Sequence, residues 1–342
     1  MPVLVDDGSD DVGVVETPTP ARAGTVTDVA AMTAGGTPMW LLLSEGGQVG
    51  RWHVESDDYQ RLAVASVPPE AERDRWADRV PRPRLHASAD GRFAAVVNDY
   101  GRLGQVLDLR TGEVTMTLDN TGDEEETVPF SLAFLEHAGR TVVVHRTAWN
   151  RLDASVAATG EPLTARPGDP SDHFHGALYV SPDGRRILDD GWIWHPVGVV
   201  TVSGVQRWLA RDEDPALHVC SRDYYWDHAM TWIDETRVAV EGIGDDDNRM
   251  RPGARVFDTG RTAVTAPFPA PHAVEVATIP GPAGRFFSDG AVLYSADGDG
   301  LHSWDPAGGE RLGTVPGFTP THHHRPAGRF LELRDGSVRI RA

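Results

Sequence analysis

The sequence predicts an all-β fold, a single seven-bladed β-propeller whose blades are four-stranded antiparallel sheets. The first observation is a turn signature, usually Gly-Arg, that stands just before an apolar strand. It recurs at seven positions spaced 44 to 55 residues apart: Gly35-Gly36, Gly91-Arg92, Gly139-Arg140, Gly184-Arg185, Thr236-Arg237, Gly284-Arg285 and Gly328-Arg329. A second marker follows later in several units, at Thr111-Gly112-Glu113, Thr159-Gly160-Glu161, Thr259-Gly260 and Gly308-Gly309-Glu310. Two independent markers with one period of roughly 40–50 residues indicate a repeated β architecture.

The stretch from Ala283 to Thr314 displays one unit most completely. Asp297-Gly298-Asp299-Gly300 predicts a tight hairpin turn, because Asp and Gly tolerate the backbone angles that such turns need. Short strands precede and follow this turn, and a further strand is expected at residues 310–315. Strands this short cannot bury two faces alone, so each unit needs neighbours on both sides.

The period divides a single domain of 342 residues into seven blades. In chain order they lie at about residues 24–67, 84–119, 129–166, 174–209, 226–268, 272–315 and 318–342, with an insertion at 68–83 that carries a predicted short helix. The last blade has too few strands, at 330–334 and 337–341, whereas residues 1–23 contain the apolar runs Val3–Val5 and Val12–Val15. We therefore expect an amino-terminal strand to complete the last blade and close the ring, which removes exposed sheet edges.

Two kinds of segment resemble known repeats. The run from Tyr294 to Leu312, with its Trp304-Asp305 dipeptide, resembles the second half of a WD repeat. Residues 85–114 and 177–188 resemble the related bacterial WD-like (YVTN/WD-like) propeller repeats, although other blades carry Leu107-Asp108 or Phe257-Asp258 in place of Trp-Asp. The resemblance implies the propeller fold of a bacterial WD-repeat-like family, and it specifies no functional subfamily.

Composition excludes several classes of function. The chain has 32 basic and 51 acidic residues, a net charge of −19, which argues against non-specific binding of nucleic acid or of an anionic membrane. Such a surface would attract a basic partner. Every basic residue is arginine, and the absence of lysine rules out a phosphate-binding Gly-Lys-Ser/Thr loop, a Schiff-base lysine and the kinase lysine.

Compartment and catalysis are constrained by what the sequence lacks. The single Cys220 permits no internal disulfide, and the acidic amino terminus lacks the pattern of a signal peptide, so we expect a cytoplasmic protein. There is no Gly-x-Ser-x-Gly elbow and no His-Glu-x-x-His motif, and Asp189-Asp190 is interpreted as turn-forming. We predict no catalytic residue, no metal site and no cofactor.

Candidate binding residues lie in the longest connections. In a propeller, the loops between blades and the turns between middle strands emerge on one face, and here they comprise residues 119–127, 167–175, 212–228 and 244–253. Tyr224, Tyr225 and Trp226 are the strongest candidates, and two readings stay open: an exposed interface hot spot, or packing over the seam between blades. The predicted binding set is completed by Trp149, His175, Trp192 and His228.

Histidines and acids supply the alternatives. We expect His175, His228, His272 and His322-His323-His324 near the starts of innermost strands, where they would either bind a transition metal or form hydrogen bonds between blades. The acidic runs 124–126, 245–247 and 297–300 lack a complete calcium-binding pattern and are interpreted as solvated loops and turns.

The sequence therefore favours a non-catalytic interaction scaffold that binds a protein or peptide, with acidic loops selecting a basic partner, and a monomer is compatible with it. Two alternatives remain. One is a hydrolase or lyase with a metal-assisted site at the mouth of the channel, and the other is a sensor of small molecules or sugars that stacks its ligand on the same aromatic residues.

Overall fold

The computed structural model describes residues 13–70, 80–120, 128–164, 173–194, 197–210, 216–246, 249–263 and 271–341. The expected all-β class is confirmed. Within these residues the strands form six sheets: four of four strands, one of three and one of nine. All four of the four-stranded sheets are antiparallel throughout.

Strand β1 (Val14–Pro18) comes first along the chain and belongs to the last sheet, and three complete sheets follow it. The first sheet contains β2 (Val26–Ala34), β3 (Thr37–Ser44), β4 (Gln48–His53) and β5 (Asp58–Val64). The second contains β6 (Arg82–Ala87), β7 (Phe93–Asp99), β8 (Leu103–Asp108) and β9 (Glu113–Asp119). The third contains β10 (Leu132–His137), β11 (Arg140–Ala148) and β12 (Arg151–Val156).

The fourth sheet has nine strands in two runs. The first run is β13 (His173–Phe174), β14 (Leu178–Val180), β15 (Arg186–Ile193), β16 (Val197–Gly204) and β17 (Leu217–Asp223), with helix α1 (Val205–Ala210) after β16. The second run is β18 (Met230–Trp232), β19 (Arg237–Ile243), β20 (Arg251–Ala263) and β21 (His272–Pro280). The two runs join through one parallel pairing, that of His218 with His272.

Two sheets complete the described chain. The fifth contains β22 (Arg285–Ser288), β23 (Leu293–Ala296), β24 (Gly300–Trp304) and β25 (Arg311–Pro316). The sixth contains β26 (His322–His324), β27 (Arg329–Arg334) and β28 (Ser337–Arg341), and β1 pairs antiparallel with β28 as its fourth strand. An amino-terminal strand thus completes the last sheet, as the sequence predicts. The other predicted run, Val3–Val5, lies outside the described residues.

Repeated turn chemistry builds the hairpins between first and second strands. In the second sheet, Ser88 Oγ donates to Asp90 Oδ1 at 2.6 Å and accepts from the backbone N of Phe93 at 2.9 Å. The equivalent Ser181 donates to Asp183 Oδ1, also at 2.6 Å, before β15. These side chains satisfy backbone groups that a tight turn leaves unpaired, which explains why one short motif recurs before the buried second strand.

Apolar clusters lie between consecutive sheets. Leu41 and Leu43 of the first sheet pack against Val96 of the second, and Val106 of the second packs against Leu132 of the third. A further cluster joins the third sheet to β15, and another joins the two runs of the fourth sheet to each other. A third cluster joins the second of these runs to the fifth sheet. The last two clusters join the fifth sheet to the sixth and the sixth sheet back to the first. First strands also touch in chain order from β2 to β22 through β6, β10, β14 and β18, and β26 contacts β2.

Three boundaries differ from the prediction. Residues 217–223, assigned from the sequence to a connection, form β17, because the helix-favouring segment VQRWLA inserts α1 ahead of it and packs Trp208 against the third sheet's cluster. Residues 272–280 form β21 and pair with β20, so they do not open the next sheet. In the fifth sheet Gly284 precedes the first strand and Arg285 begins it, and the hairpin to the second strand turns at Asp289-Gly290.

The third sheet also departs from the four predicted strands. Beyond β12 the described residues add one isolated bridge, Ser155 with Pro162, and residues 165–172 lie outside the described part. The predicted helix within 68–83 falls mostly on residues 71–79, which are likewise outside it.

Candidate functional site

An aromatic stack lies at one end of the β13–β17 run. Trp149 packs on Phe174 with ring centroids 4.4 Å apart, and Phe174 stacks on Trp192 at 4.1 Å and 11°. Trp192 in turn stacks on Trp226 at 5.2 Å and 17°. Phe174, Trp192 and Trp226 are all buried. The structure therefore brings together three of the predicted binding residues, Trp149, Trp192 and Trp226, and the burial of Trp226 agrees with packing rather than exposure of that ring.

Two aromatic side chains near this stack are exposed. Trp194 is 61% exposed and Tyr224 is 60% exposed. They directly follow Ile193 and Asp223, which flank Val197 of the central strand β16 from either side. The backbones of Trp194 and Tyr224 therefore emerge at the same end of the sheet, about 10 Å apart, since neighbouring strands lie about 4.8 Å apart. We call these two residues the aromatic pair.

The backbone beneath Tyr224 is unusual in a way that fixes its position. Tyr224 has φ 59° and Asp227 has φ 61°, both in the left-handed region that non-glycine residues seldom adopt. The backbone at Tyr225 passes close to Gly198 of β16, and glycine is required there because a Cβ would lie 2.0 Å from the carbonyl oxygen of Tyr225. The segment is also tied to the second sheet, where Tyr100 Oη donates to Asp227 Oδ2 at 2.7 Å.

The side chains of Tyr225 and His228 each bond a carboxylate of the protein. Tyr225 Oη donates to Glu241 Oε2 at 3.3 Å, and burial together with Glu241 raises the pKa of Tyr225 above its usual range. The side chain of His228 is fully buried, and its Nδ1 donates to Asp190 Oδ1 at 2.6 Å. Both residues belong to the predicted binding set, and the structure places their side chains against carboxylates of β19 and β15.

Asp189 and Asp190 lie within β15, so their interpretation as a turn is wrong. Adjacent strand residues point to opposite faces, and each carboxylate accordingly serves different histidines. Asp189 Oδ2 lies 2.5 Å from His175 Nδ1 and 3.4 Å from His173 Nε2. Gly191 allows this approach, since a Cβ there would lie 2.4 Å from His173 Nε2.

The group formed by His173, His175 and Asp189 is the one that could hold a metal ion within the described residues. Its candidate ligand atoms all lie within 4.8 Å of one another. Burial raises the pKa of Asp189, but the two histidines outweigh that effect and hold it below its usual value. Burial lowers the pKa of His175, which favours the neutral imidazole that a metal ion requires.

The other predicted histidines do not converge on one point. His272 lies in β21, a fourth strand, where its Nδ1 is 2.9 Å from His218 Nδ1. His322 Nε2 lies 3.0 Å from Asp28 Oδ1, and His324 Nε2 lies 2.8 Å from the carbonyl oxygen of Met32. His323 stacks on Phe330 at 4.3 Å. Hydrogen bonding and packing between sheets therefore account for these side chains.

Acidic groups border the aromatic pair. Asp223 is exposed directly before Tyr224, and its backbone N donates to the carbonyl oxygen of Asp245 at 2.9 Å. Asp245 is also exposed, and its carboxylate pairs with Arg255 at 2.7 Å. The turn that carries Asp245 and Asp246 thus lies against the end of β17, beside the aromatic pair.

Sequence reasoning missed Trp194 and His173 as site residues. The signals were present: Trp192 and Trp194 share a strand face at period two, and Pro196 marks where such a strand ends. His173 and His175 likewise stand two residues apart, the spacing that places two side chains on one side of a strand. Parts of the predicted loop face, residues 121–127, 165–172, 211–215 and 247–248, lie outside the described residues.

Comparison with protein-family models and with curated proteins gives no match to this chain. Among the described residues, no helix has the length and apolar character needed to cross a membrane.

Proposed function

We propose that the chain is a seven-bladed β-propeller closed by β1, of the bacterial WD-like kind. The proposal divides the nine-stranded sheet at the parallel pairing of β17 with β21 into two blades, β13–β17 and β18–β21. It is supported by the sequential contacts of the first strands and by apolar clusters that link each blade to the next and the last to the first. Closure of this kind removes exposed sheet edges.

We further propose that the protein is a non-catalytic, cytoplasmic interaction scaffold that binds a basic peptide or protein segment. The observation that carries this proposal is the aromatic pair: Trp194 and Tyr224 remain exposed while their neighbours Trp192 and Trp226 form a rigid stack beneath them. Aromatic side chains on a rigid support lose little entropy on binding and are enriched at interface hot spots.

The acidic residues beside the aromatic pair are the reason for proposing a basic partner. Asp223 and Asp245 place carboxylates beside the aromatic pair, and the whole chain carries a net charge of −19. An arginine or lysine side chain could pair with these acids and lie over the face of Trp194 or Tyr224. Electrostatic attraction would also speed the encounter with a basic segment and make binding weaken with salt.

Binding can be measured by fluorescence anisotropy with a labelled nine-residue peptide of alternating arginine and serine. The wild-type protein is expected to bind it and to ignore a peptide of alternating glutamate and serine. Trp194→Ser and Tyr224→Asn are each expected to weaken binding at least tenfold, because each removes a hot-spot ring. Asparagine is chosen at position 224 because it tolerates the left-handed backbone.

Leu312→Ser is the matched control, since Leu312 is 57% exposed on the outermost strand β25 of the fifth sheet. It should leave peptide affinity unchanged. If the basic peptide fails to bind, or if all three variants weaken binding equally, the aromatic pair is not the recognition surface.

A second candidate function is metal-assisted chemistry at the group formed by His173, His175 and Asp189, whose two nitrogen ligands and one carboxylate suit a transition-metal ion. Addition of Co²⁺ to the purified protein is expected to produce visible absorption bands, and His173→Gln should abolish them. His53→Gln is the control, because His53 lies on β4 in the first sheet. Identical spectra for the wild type and His173→Gln would remove this candidate.

A further inference from the structure

A concave cavity of about 440 Å³ lies among the first strands of several sheets. The residues that matter here line it from β2, β6, β22 and β26: Asp28, Arg82, Arg84, His86, Arg285 and His322. The volume is that of a small-molecule site and is far too small for a folded partner. It is distinct from the aromatic pair, which lies beyond the ends of β15 and β17.

Three arginines converge on this cavity. Arg82 and Arg84 stand two residues apart on β6 and therefore share one side of the strand. Arg285 approaches from the start of β22, and burial together with the charges of Arg82 and Arg84 lowers its pKa below the usual value. All three side chains remain exposed to solvent. The positive charges of Arg82 and Arg84 therefore repel that of Arg285 at this cavity.

These charges are only partly compensated within the described residues. Arg84 pairs with Asp99 at 3.1 Å, and this carboxylate raises the pKa of Arg84 further. Arg82 lies over the ring of Tyr100 at 5.8 Å, and the described part of the chain provides the Arg285 side chain with neither a hydrogen bond nor an ion pair. The chain as a whole carries a net charge of −19, so three arginines in one cavity are a local concentration of positive charge in an acidic protein.

The remaining polar groups of the cavity do not supply an internal counter-ion for all three. Among the described residues Asp28 is the one carboxylate that lines the cavity, and it already accepts from the backbone N of Leu85 at 2.7 Å and bonds His322 Nε2 at 3.0 Å. Burial and the Arg84 charge lower the pKa of His86 to about 4, so its ring is neutral at pH 7. Its Nε2 is buried and has no partner in the described part of the chain.

We propose that this cavity binds a small organic anion with two or more negative charges, a di- or tricarboxylate or a phosphate ester. Planar guanidinium groups donate in pairs to carboxylate and phosphate oxygens, which is the chemistry shared by both classes. Arg82 and Arg285, the two arginines without a carboxylate partner in the described residues, are the main donors. The negative charges of the ligand would neutralise the positive charges of these two arginines.

Isothermal titration calorimetry of the full chain at low ionic strength tests this with two probes, citrate and inorganic phosphate. At least one is expected to bind, and the stronger of the two identifies the class of anion. Arg285→Gln and Arg82→Gln should each weaken binding at least tenfold. Asp28→Asn removes the one negative charge that lines the cavity and should strengthen binding, a change that damage to the fold would not produce.

Arg311→Gln is the matched control, because Arg311 is an exposed arginine on β25 and its loss changes the net charge equally. It should leave affinity unchanged. The proposal is overturned if neither probe binds, or if Arg311→Gln weakens binding as much as Arg285→Gln. Peptide binding by the aromatic pair is unaffected by either result, since none of these residues belongs to it.

Discussion

A chain that lacks residues 1–18 is expected to melt about 4–7 °C below the full-length protein. The deletion removes β1, which pairs with β28 from Val14–Arg341 to Pro18–Ser337 and covers the edge of the sixth sheet. Several backbone hydrogen bonds at about 1 kcal/mol each amount to roughly 3–5 kcal/mol. With an entropy of unfolding of about 2.1 cal/mol/K per residue, each kcal/mol corresponds to about 1.4 °C in a chain of 342 residues. Thermal unfolding followed by circular dichroism measures the difference.

The matched control is a chain that begins at Gly13 and keeps all of β1. Val14 packs against the cluster of Phe318 and Phe330 between the fifth and sixth sheets, so this shorter deletion preserves both the pairing and that contact. Equal melting temperatures for the two truncated chains would mean that β1 contributes nothing to stability. Aggregation of the longer deletion alone would fit an uncovered β28 edge.

Most of the sheet architecture could be predicted because the signals that carry it are local. The hairpins depend on short motifs such as Ser88-x-Asp90-Gly91, in which side chains bond the backbone within five residues. Buried second strands such as β7 begin with a continuous apolar run, here residues 93–97. Even β1 was foreseeable, since the sixth sheet was one strand short and an apolar run stood unpaired near the amino terminus.

Fourth strands were harder to predict because their patterns are weak. Five of the six residues of β25 are exposed, so no alternation of apolar and polar residues marks it. β17 follows a helix, and β21 stands beside a segment that lies outside the described residues, so neither occupies the position that a regular period gives it. The weakest boundaries thus fall where burial imposes the least constraint on the sequence.

The candidate site likewise has a part that the sequence predicts and a part that it does not. Sequence reasoning located the aromatic segment, because three consecutive aromatic residues in a connection are unusual at the sequence level alone. It could not decide which rings are buried, since Trp226 is covered by Trp192, a residue 34 positions earlier on another strand. The cluster of arginines at the cavity could not be predicted for the same reason, because Arg285 lies near Arg82 and Arg84 only through the arrangement of the first strands.

Replacing Asp190 by alanine is expected to lower the free energy of unfolding by about 3–5 kcal/mol. Asp190 and His228 are both fully shielded from solvent, and the carboxylate accepts from His228 Nδ1 at 2.6 Å and from the His228 backbone N at 2.5 Å. Alanine leaves both donors buried and unpaired, which costs far more than the loss of a surface ion pair. Urea unfolding followed by tryptophan fluorescence measures the change.

Glu161→Ala is the control, because Glu161 and Arg140 form a 3.9 Å ion pair in which both side chains are largely exposed, and such pairs contribute at most about 1 kcal/mol. Asp190→Asn should recover part of the stability, since its amide oxygen can still accept one of the two hydrogen bonds. A loss below 1 kcal/mol for Asp190→Ala would contradict this account. Asp190 joins β15 to the segment before β18, just as Asp99 joins β7 to Phe130 before β10 at 3.1 Å. A carboxylate at the second strand that holds the start of the next first strand is therefore a repeated device. Its removal should loosen the junction on which Trp226 and the exposed Tyr224 depend.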